Sequence, residues 1–216
     1  RSWSYKFNGS LEAGMKAFYE TAHIVYGTDY SKLTISPIIT LKRGTDLKKM
    51  ESLVDEAIAC GYFKGIDLIG SEKYSPEQYS LIFEKAHKSG MICMAHIGEY
   101  SDPILVMRYI EALNLDAIMH GITVVNSKEA MKLIRERKIT LHLCPTSNVN
   151  LGYVESYATH PIKHFIENEI NVTINTDDRL IFGSSITDEY IKLYNSGCLS
   201  AEELDKIRLD GLGFFN

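Results

Sequence analysis

Met91-Ile92-Cys93-Met94-Ala95-His96-Ile97-Gly98-Glu99 is an apolar run that delivers the chain to an imidazole and a carboxylate three positions apart. One such ending could be incidental, but the pattern recurs. Ala117-Ile118-Met119 leads into His120-Gly121, and Thr140-Leu141-His142-Leu143 leads into Cys144-Pro145-Thr146-Ser147-Asn148. Asn171-Val172-Thr173-Ile174 leads into Asn175-Thr176-Asp177-Asp178. Buried strands whose C-terminal ends all carry polar, metal-capable or acid–base groups are what the active site of an α/β barrel requires.

Outward from that run, helical and strand patterns alternate. Ser10 can cap a helix in which Leu11, Met15, Phe18, Ala22 and Val25 recur at helical spacing, ended by Gly27. Leu33 to Leu41 is rich in β-branched residues and reads as a strand, although Pro37 inside it removes a ladder donor. Leu47–Ala59 is an amphipathic helix, and Gly65–Gly70 is a short apolar run. Ser75-Pro76 opens a helix with Tyr79, Ile82, Phe83 and Ala86 as its apolar stripe. Ile104, Met107, Ile110 and Leu113 form the packing face expected of the next helix, and Ala130, Leu133 and Ile134 that of the one after Ser127. A helix over His160–Glu169 follows, then one beginning near Thr187, and Ser200-Ala201-Glu202-Glu203 is a capping box.

Strand and helix thus alternate about six times, near the ~30 residues per unit of an eight-unit barrel. Near-continuously apolar strands with helical crossovers predict a parallel sheet. The expected fold is an α/β, TIM-type (β/α)8 barrel, of which this chain holds about the last six strand–helix units. A doubly wound sheet is the rival, and it often carries a Gly-rich phosphate loop; no G-x-G-x-x-G or P-loop occurs. Six strands cannot close an eight-strand barrel, and the open array leaves edges at Leu33–Leu41 and Val172–Ile174. The remaining strands are therefore expected elsewhere, in the same protein or on another chain.

At 216 residues one domain is expected over 1–216. A net charge of -5 gives no basic surface for nucleic acid. Cys60, Cys93, Cys144 and Cys198 form no C-x-x-C pair and read as reduced thiols of a cytosolic (cytoplasmic) protein. No apolar run approaches the ~20 residues that span a bilayer, so no membrane partner is expected. Trp3 and the Tyr-containing N-terminal stretch read as packing residues.

His96, Glu99, His120, Asp177 and Asp178 are the candidate chemistry. A hydrolytic zinc site needs imidazole and carboxylate ligands, an open position for water and a nearby acid–base group. His160 and His164, four apart, are a weaker metal pair, because Pro161 makes His160 the N-cap region of an outer helix. His23 and His87 read as surface or packing residues, and His142 as a satisfied core residue.

These residues carry a resemblance. His96-Ile97-Gly98-Glu99, Met119-His120-Gly121, Leu143 through Asn148, His160-Pro161-Ile162, Thr173 through Asp178 and Asp188-Glu189-Tyr190 resemble, in order and spacing, the adenosine deaminase family of the amidohydrolase superfamily. Asp67-Leu68-Ile69-Gly70-Ser71-Glu72 resembles the family's fourth-strand segment. The similarity runs from about Leu33 to about Phe215. The resemblance implies zinc-dependent hydrolytic deamination of adenosine to inosine and ammonia, with a purine nucleoside as substrate. It implies that His96 and Asp177 ligate Zn(2+) and that Glu99 protonates purine N1, which requires a raised pKa. It further implies that His120 takes a proton from, or orients, the attacking water, that Asp178 hydrogen-bonds N7, and that the Gly70 N–H meets N3. The family takes two more ligands from an H-x-H on its first strand, and this sequence contains none. Two other readings stay open: a related adenine or nucleotide deaminase, and a catalytically inactive barrel portion serving as scaffold or purine-binding module.

Overall fold

The computed structural model describes residues 10–32 and 34–214. Trp3 and the expected first strand residue, Leu33, lie outside them. Helix α1 (Leu11–Tyr26) is capped by the Ser10 side chain. Six strands alternate with helices from there on: β1 (Ile38–Lys42), α2 (Leu47–Cys60), β2 (Gly65–Ile69), α3 (Ser80–Lys88), β3 (Ile92–Ile97), α4 (Pro103–Leu113), β4 (Ala117–His120), α5 (Lys128–Glu136) and β5 (Thr140–Leu143). Two short helices, α6 (Pro145–Asn150) and α7 (Ile162–Glu167), precede β6 (Val172–Ile174), and α8 (Arg179–Phe182), α9 (Ile186–Asn195) and α10 (Ala201–Gly213) follow it.

All five strand pairings are parallel and the order is β1-β2-β3-β4-β5-β6. Sequential parallel order with helical crossovers is the arrangement of a barrel wall, so the expected six strand–helix units are present. The register brings His96 beside Met119 and Ile97 beside His120, and Leu143 beside Ile174. The strand ends that carry the candidate residues are therefore level.

The strands are less uniformly apolar than expected. Strand side chains alternate between faces, and Ile66, Leu68, Cys93, Ala95, Ile97, Ile118, Leu141 and Leu143 join helix residues such as Val54, Phe83, Val106 and Ile134 in the core. The intervening positions include Asp67, His96, Thr140, His142 and Thr173, outside that cluster. The face away from α2 to α5 is mixed: Met94 and Met119 share it with these polar residues, the end of α10 reaches Thr173, and the Phe214 ring packs edge-on against His142 at 4.6 Å.

Three expectations shift in detail. The first strand begins at Ile38, because Pro37 has no N–H to add to the ladder and serves as acceptor for Lys64 N–H (2.8 Å). In α4 the buried stripe is Val106, Tyr109, Ile110 and Leu113, whereas Ile104 is 65% exposed. Ile104 belongs to the opening turn, where the Asp102 carboxylate caps its N–H (2.7 Å). Helix α7 is shorter than expected, with Pro161 as its N-cap residue. The capping boxes at Ser185/Asp188 and Ser200/Glu203 are both formed. Among the described residues no helix is long and apolar enough to cross a membrane, and all four cysteines are free thiols.

Candidate active site and metal centre

The β3 end is held from below and from the side. The His96 Nδ1 lies 3.0 Å from an Asp67 carboxylate oxygen, which leaves Nε2 directed elsewhere. Burial works against a charge on His96, but the Asp67 hydrogen bond and charge outweigh it and raise its pKa. The buried Arg43 guanidinium donates to the carbonyls of His96 (2.6 Å) and Gly70 (3.0 Å) and to the Tyr109 hydroxyl (2.9 Å). One planar fork thus joins the ends of β2 and β3 to α4.

Gly98 then turns the chain at φ +76°, and a Cβ there would stand 2.9 Å from Val106 and 3.1 Å from the Gly121 backbone. Only glycine fits. Past it, Glu72 is 3% exposed and accepts backbone N–H groups from Gly98 (3.1 Å), Glu99 (3.1 Å) and Ser101 (3.0 Å). This clamp sets where Glu99 projects. Burial pushes the Glu99 carboxyl up to about 7, helped by the negative charges of Glu72 and Asp177. The raised value expected of a proton donor is present.

His120 is 2% exposed and sits at φ +68°, and Asp177 sits at φ +54°. Left-handed backbone is uncommon for non-glycine residues and clusters at functional sites. The His120 Nδ1 is 3.8 Å from Glu99 Oε1, its Nε2 is 4.0 Å from Asp177 Oδ2, and its ring centroid is 5.4 Å from that of His96. Burial, followed by the neighbouring His96 charge, lowers the His120 pKa. Helix α6 reaches both sides of this group: Ser147 Oγ donates to Asp177 Oδ2 (2.7 Å), and Asn148 Nδ2 contacts His120 Nδ1 (3.3 Å). The N–H of Thr146 on the same helix is held by the buried Glu189 carboxylate (2.9 Å).

His96, Glu99, His120 and Asp177 are therefore brought together. His96, His120 and Asp177 line a cavity of about 330 Å³ with Met119, Cys144, Asn175, Thr176 and Ile186, and Glu99 lines a neighbouring groove of about 770 Å³. Gly70 is tied to His96 through Arg43, and Asp178 follows Asp177, whose Oδ1 accepts its N–H (2.8 Å); neither lines the smaller cavity. His164 borders the larger groove with Glu99 but does not reach the smaller cavity; its exposed ring and its carbonyl accept from Asn168 Nδ2. His142 is buried and paired with Thr173 Oγ1 (2.6 Å).

The donors fit a divalent cation. His120, Cys144 and Asp177 place ligand atoms within 4.8 Å of one another, and His96 borders the same cavity. An imidazole whose second nitrogen is held by a carboxylate, as His96 is by Asp67, is the usual arrangement of a metal ligand. Cys144 is the weaker donor, because burial and the charges of Asp177 and Glu189 hold its thiol protonated. A second trio, His87, Cys93 and Asp116, lies at the opposite strand ends. There Asp116 accepts the Cys93 N–H (2.8 Å) and His87 Nε2 meets Asn114 O (2.7 Å).

Arg43, Asp67, Glu72, Ser147 and Asn148 carry no role of their own in the sequence. Buried charge in an otherwise apolar segment, as at Asp67 between Ile66 and Leu68, was the available signal.

Comparison with known proteins agrees with this fold. The adenosine deaminase family model matches residues 12–213. An adenine deaminase of Marinomonas is 32% identical over 186 residues, covering 84% of this chain and 54% of that protein. An adenosine deaminase of Clostridium acetobutylicum is 30% identical over 173 residues, covering 80% and 50%. The chain thus spans about half the length of the curated relatives it matches. Among solved structures, an adenine deaminase from Arthrobacter aurescens superposes with TM-score 0.83 at 22% identity, covering 94% of this chain and 61% of that one. The N6-methyl-AMP deaminase from Arabidopsis thaliana gives 0.81 at 18%, covering 95% and 63%. At those identities the two structures speak for the fold alone. With its six parallel strand–helix units and a family match over nearly its whole length, the chain belongs to the adenosine deaminase family.

Proposed function

We propose that residues 1–216 form part of a single barrel domain of a metal-dependent hydrolase that removes the exocyclic amine of a purine, adenosine first among the candidates. Water and adenosine would give inosine and ammonia. The observation that carries this reading is Glu99: a clamped carboxylic acid with a pKa near 7, beside His120 and close to an imidazole–carboxylate set suited to a metal.

In this reading His96 and Asp177 hold the metal, taken to be zinc because imidazole and carboxylate ligands on a rigid strand end suit it. Zinc would supply Lewis acidity, lowering the pKa of water to about 7. Protonated Glu99 donates to ring N1, which withdraws electron density from C6 and weakens the aromatic resistance to attack there. His120 takes a proton from the attacking water or orients it. The Gly70 N–H donates to N3 and Asp178 makes the hydrogen bond to N7, fixing the plane of the base. Two protein ligands are fewer than the three that a catalytic zinc uses. The others, and strands pairing with the open edges of β1 and β6, come in this reading from residues beyond these 216, on the same protein or another chain. Four free thiols fit a cytoplasmic setting. The net charge offers no nucleic-acid surface.

The test is ammonia release from adenosine, adenine and a purine nucleotide by the full protein loaded with zinc. Turnover is expected with at least one of them, and Glu99→Gln abolishes it while zinc content stays unchanged. Failure of all three substrates leaves the inactive purine-binding or scaffold role; loss of metal in the variant overturns the role given to Glu99.

A further inference from the structure

A hydrogen-bonded row runs from a backbone amide to His120. The Ile162 N–H points at His160 Nδ1 (3.2 Å), His160 Nε2 faces Asn148 Oδ1 (3.3 Å), and Asn148 Nδ2 faces His120 Nδ1 (3.3 Å). His160 is 3% exposed and Asn148 fully buried. We propose that His160 and Asn148 are positioning residues that fix the proton of His120 on Nε2, making His120 a hydrogen-bond donor to the attacking water.

The direction of the row is set at its far end. A backbone N–H can only donate, so His160 Nδ1 is an acceptor and the ring's single proton sits on Nε2. That N–H donates to Asn148 Oδ1, which commits the other end of the same amide, Nδ2, to His120. An amide nitrogen can only donate, so His120 Nδ1 is an acceptor too. Its proton is therefore on Nε2, the atom facing Asp177. Reversing Asn148 would require His160 to protonate Nδ1 and set that N–H against the Ile162 N–H. Two buried donors facing each other lose a hydrogen bond and leave both unsatisfied. Burial also pushes the His160 pKa down to about 4, so the ring is neutral and holds one proton.

For catalysis, this decides between the two roles left open for His120. Its one lone pair is occupied by Asn148, so it orients the water through Nε2–H and does not act as its base. That consequence rests on the deaminase reading; the tautomer does not.

The test is ring 15N–1H correlation of the histidines in the full protein, zinc-free and zinc-loaded, together with steady-state kinetics. Wild-type His120 and His160 are expected to carry their protons on Nε2. Asn148→Asp keeps the shape but offers only acceptors, so the His120 proton moves to Nδ1. Turnover then falls about 100-fold, within the range attributed to a single acid–base group, with KM and zinc content held. His160→Gln can accept from Ile162 with Oε1 and donate with Nε2, so it keeps the His120 tautomer, whereas His160→Ala does not. A wild-type His120 protonated on Nδ1, or an unchanged tautomer in Asn148→Asp, overturns the relay. The wild-type spectrum decides the matter even if a variant does not fold. If the tautomers behave as stated and no purine is turned over, the relay stands and the deaminase reading falls.

Discussion

At Glu99 three effects push the same way: burial, then the charge of Glu72, then that of Asp177, all disfavour the carboxylate form. In zinc-free protein the 13C titration of the Glu99 carboxyl is therefore expected to centre near 7, and a midpoint below about 5, the ordinary range, would be inconsistent with the site described. Because the folded value lies above the ordinary 4.5, the unfolded state loses its proton first. The contribution of Glu99 to stability is present below pH 4.5 and is lost as pH rises through about 7. Glu72 serves two functions at this residue, as charge and as acceptor of three N–H groups. Glu72→Gln removes the charge and should lower the Glu99 midpoint. Glu72→Ala strands three buried donors, and a loss of about 2–4 kcal/mol in urea unfolding is expected, with less for Gln. Equal, small losses in both variants would mean that water replaces the clamp.

Among the elements, α6 shows what the chain's pattern does and does not disclose. His96, Glu99, His120 and Asp177 are legible because a near-continuously apolar run must end somewhere, and a polar group at such an end recurs four times. The residues that hold them carry no such signal. Arg43 meets Tyr109 across 66 positions and Glu72 meets Glu99 across 27, so their partners exist only once β1 to β3 are side by side. Ser147 and Asn148 fall inside the Leu143–Asn148 motif, but as adjacent residues of a six-residue helix they serve different strand ends, which depends on where α6 starts. Proline shaped β1 and α7 in ways that composition could only hint at. The Ser147 hydroxyl of α6 donates to Asp177 Oδ2 at 2.7 Å and so orients that carboxylate. Ser147→Ala should weaken zinc binding about 10–100-fold, the usual cost of losing a group that orients a ligand, measured by competition with a chromophoric chelator. Unchanged affinity would show that Asp177 is held by its own backbone or is not a ligand.

Over the whole molecule, the sheet packs one apolar face against α2 to α5 and carries its polar residues on the other, mixed face, and that division gives the fold a predictable response to acid. His142 and His160 are both buried on or beside the polar side, and burial depresses each pKa to about 4. Both are neutral in the native protein, the first paired with Thr173 and the second with Asn148 and the Ile162 N–H. The unfolded chain binds a proton at each near pH 6.5, while the folded chain resists until about 4. Stability is therefore complete above 6.5 and is lost as pH falls toward 4, by roughly 2–3 kcal/mol for each histidine. His120, lowered to about 4 chiefly by burial, acts in the same sense, and Glu99 in the opposite sense over nearly the same range, so one carboxyl offsets part of what three imidazoles lose. The urea midpoint is expected to fall on going from pH 7 to pH 4. His142→Gln, which cannot gain a proton but can still bond Thr173, should flatten that slope by about half. A slope that is unchanged in His142→Gln would place the acid sensitivity elsewhere.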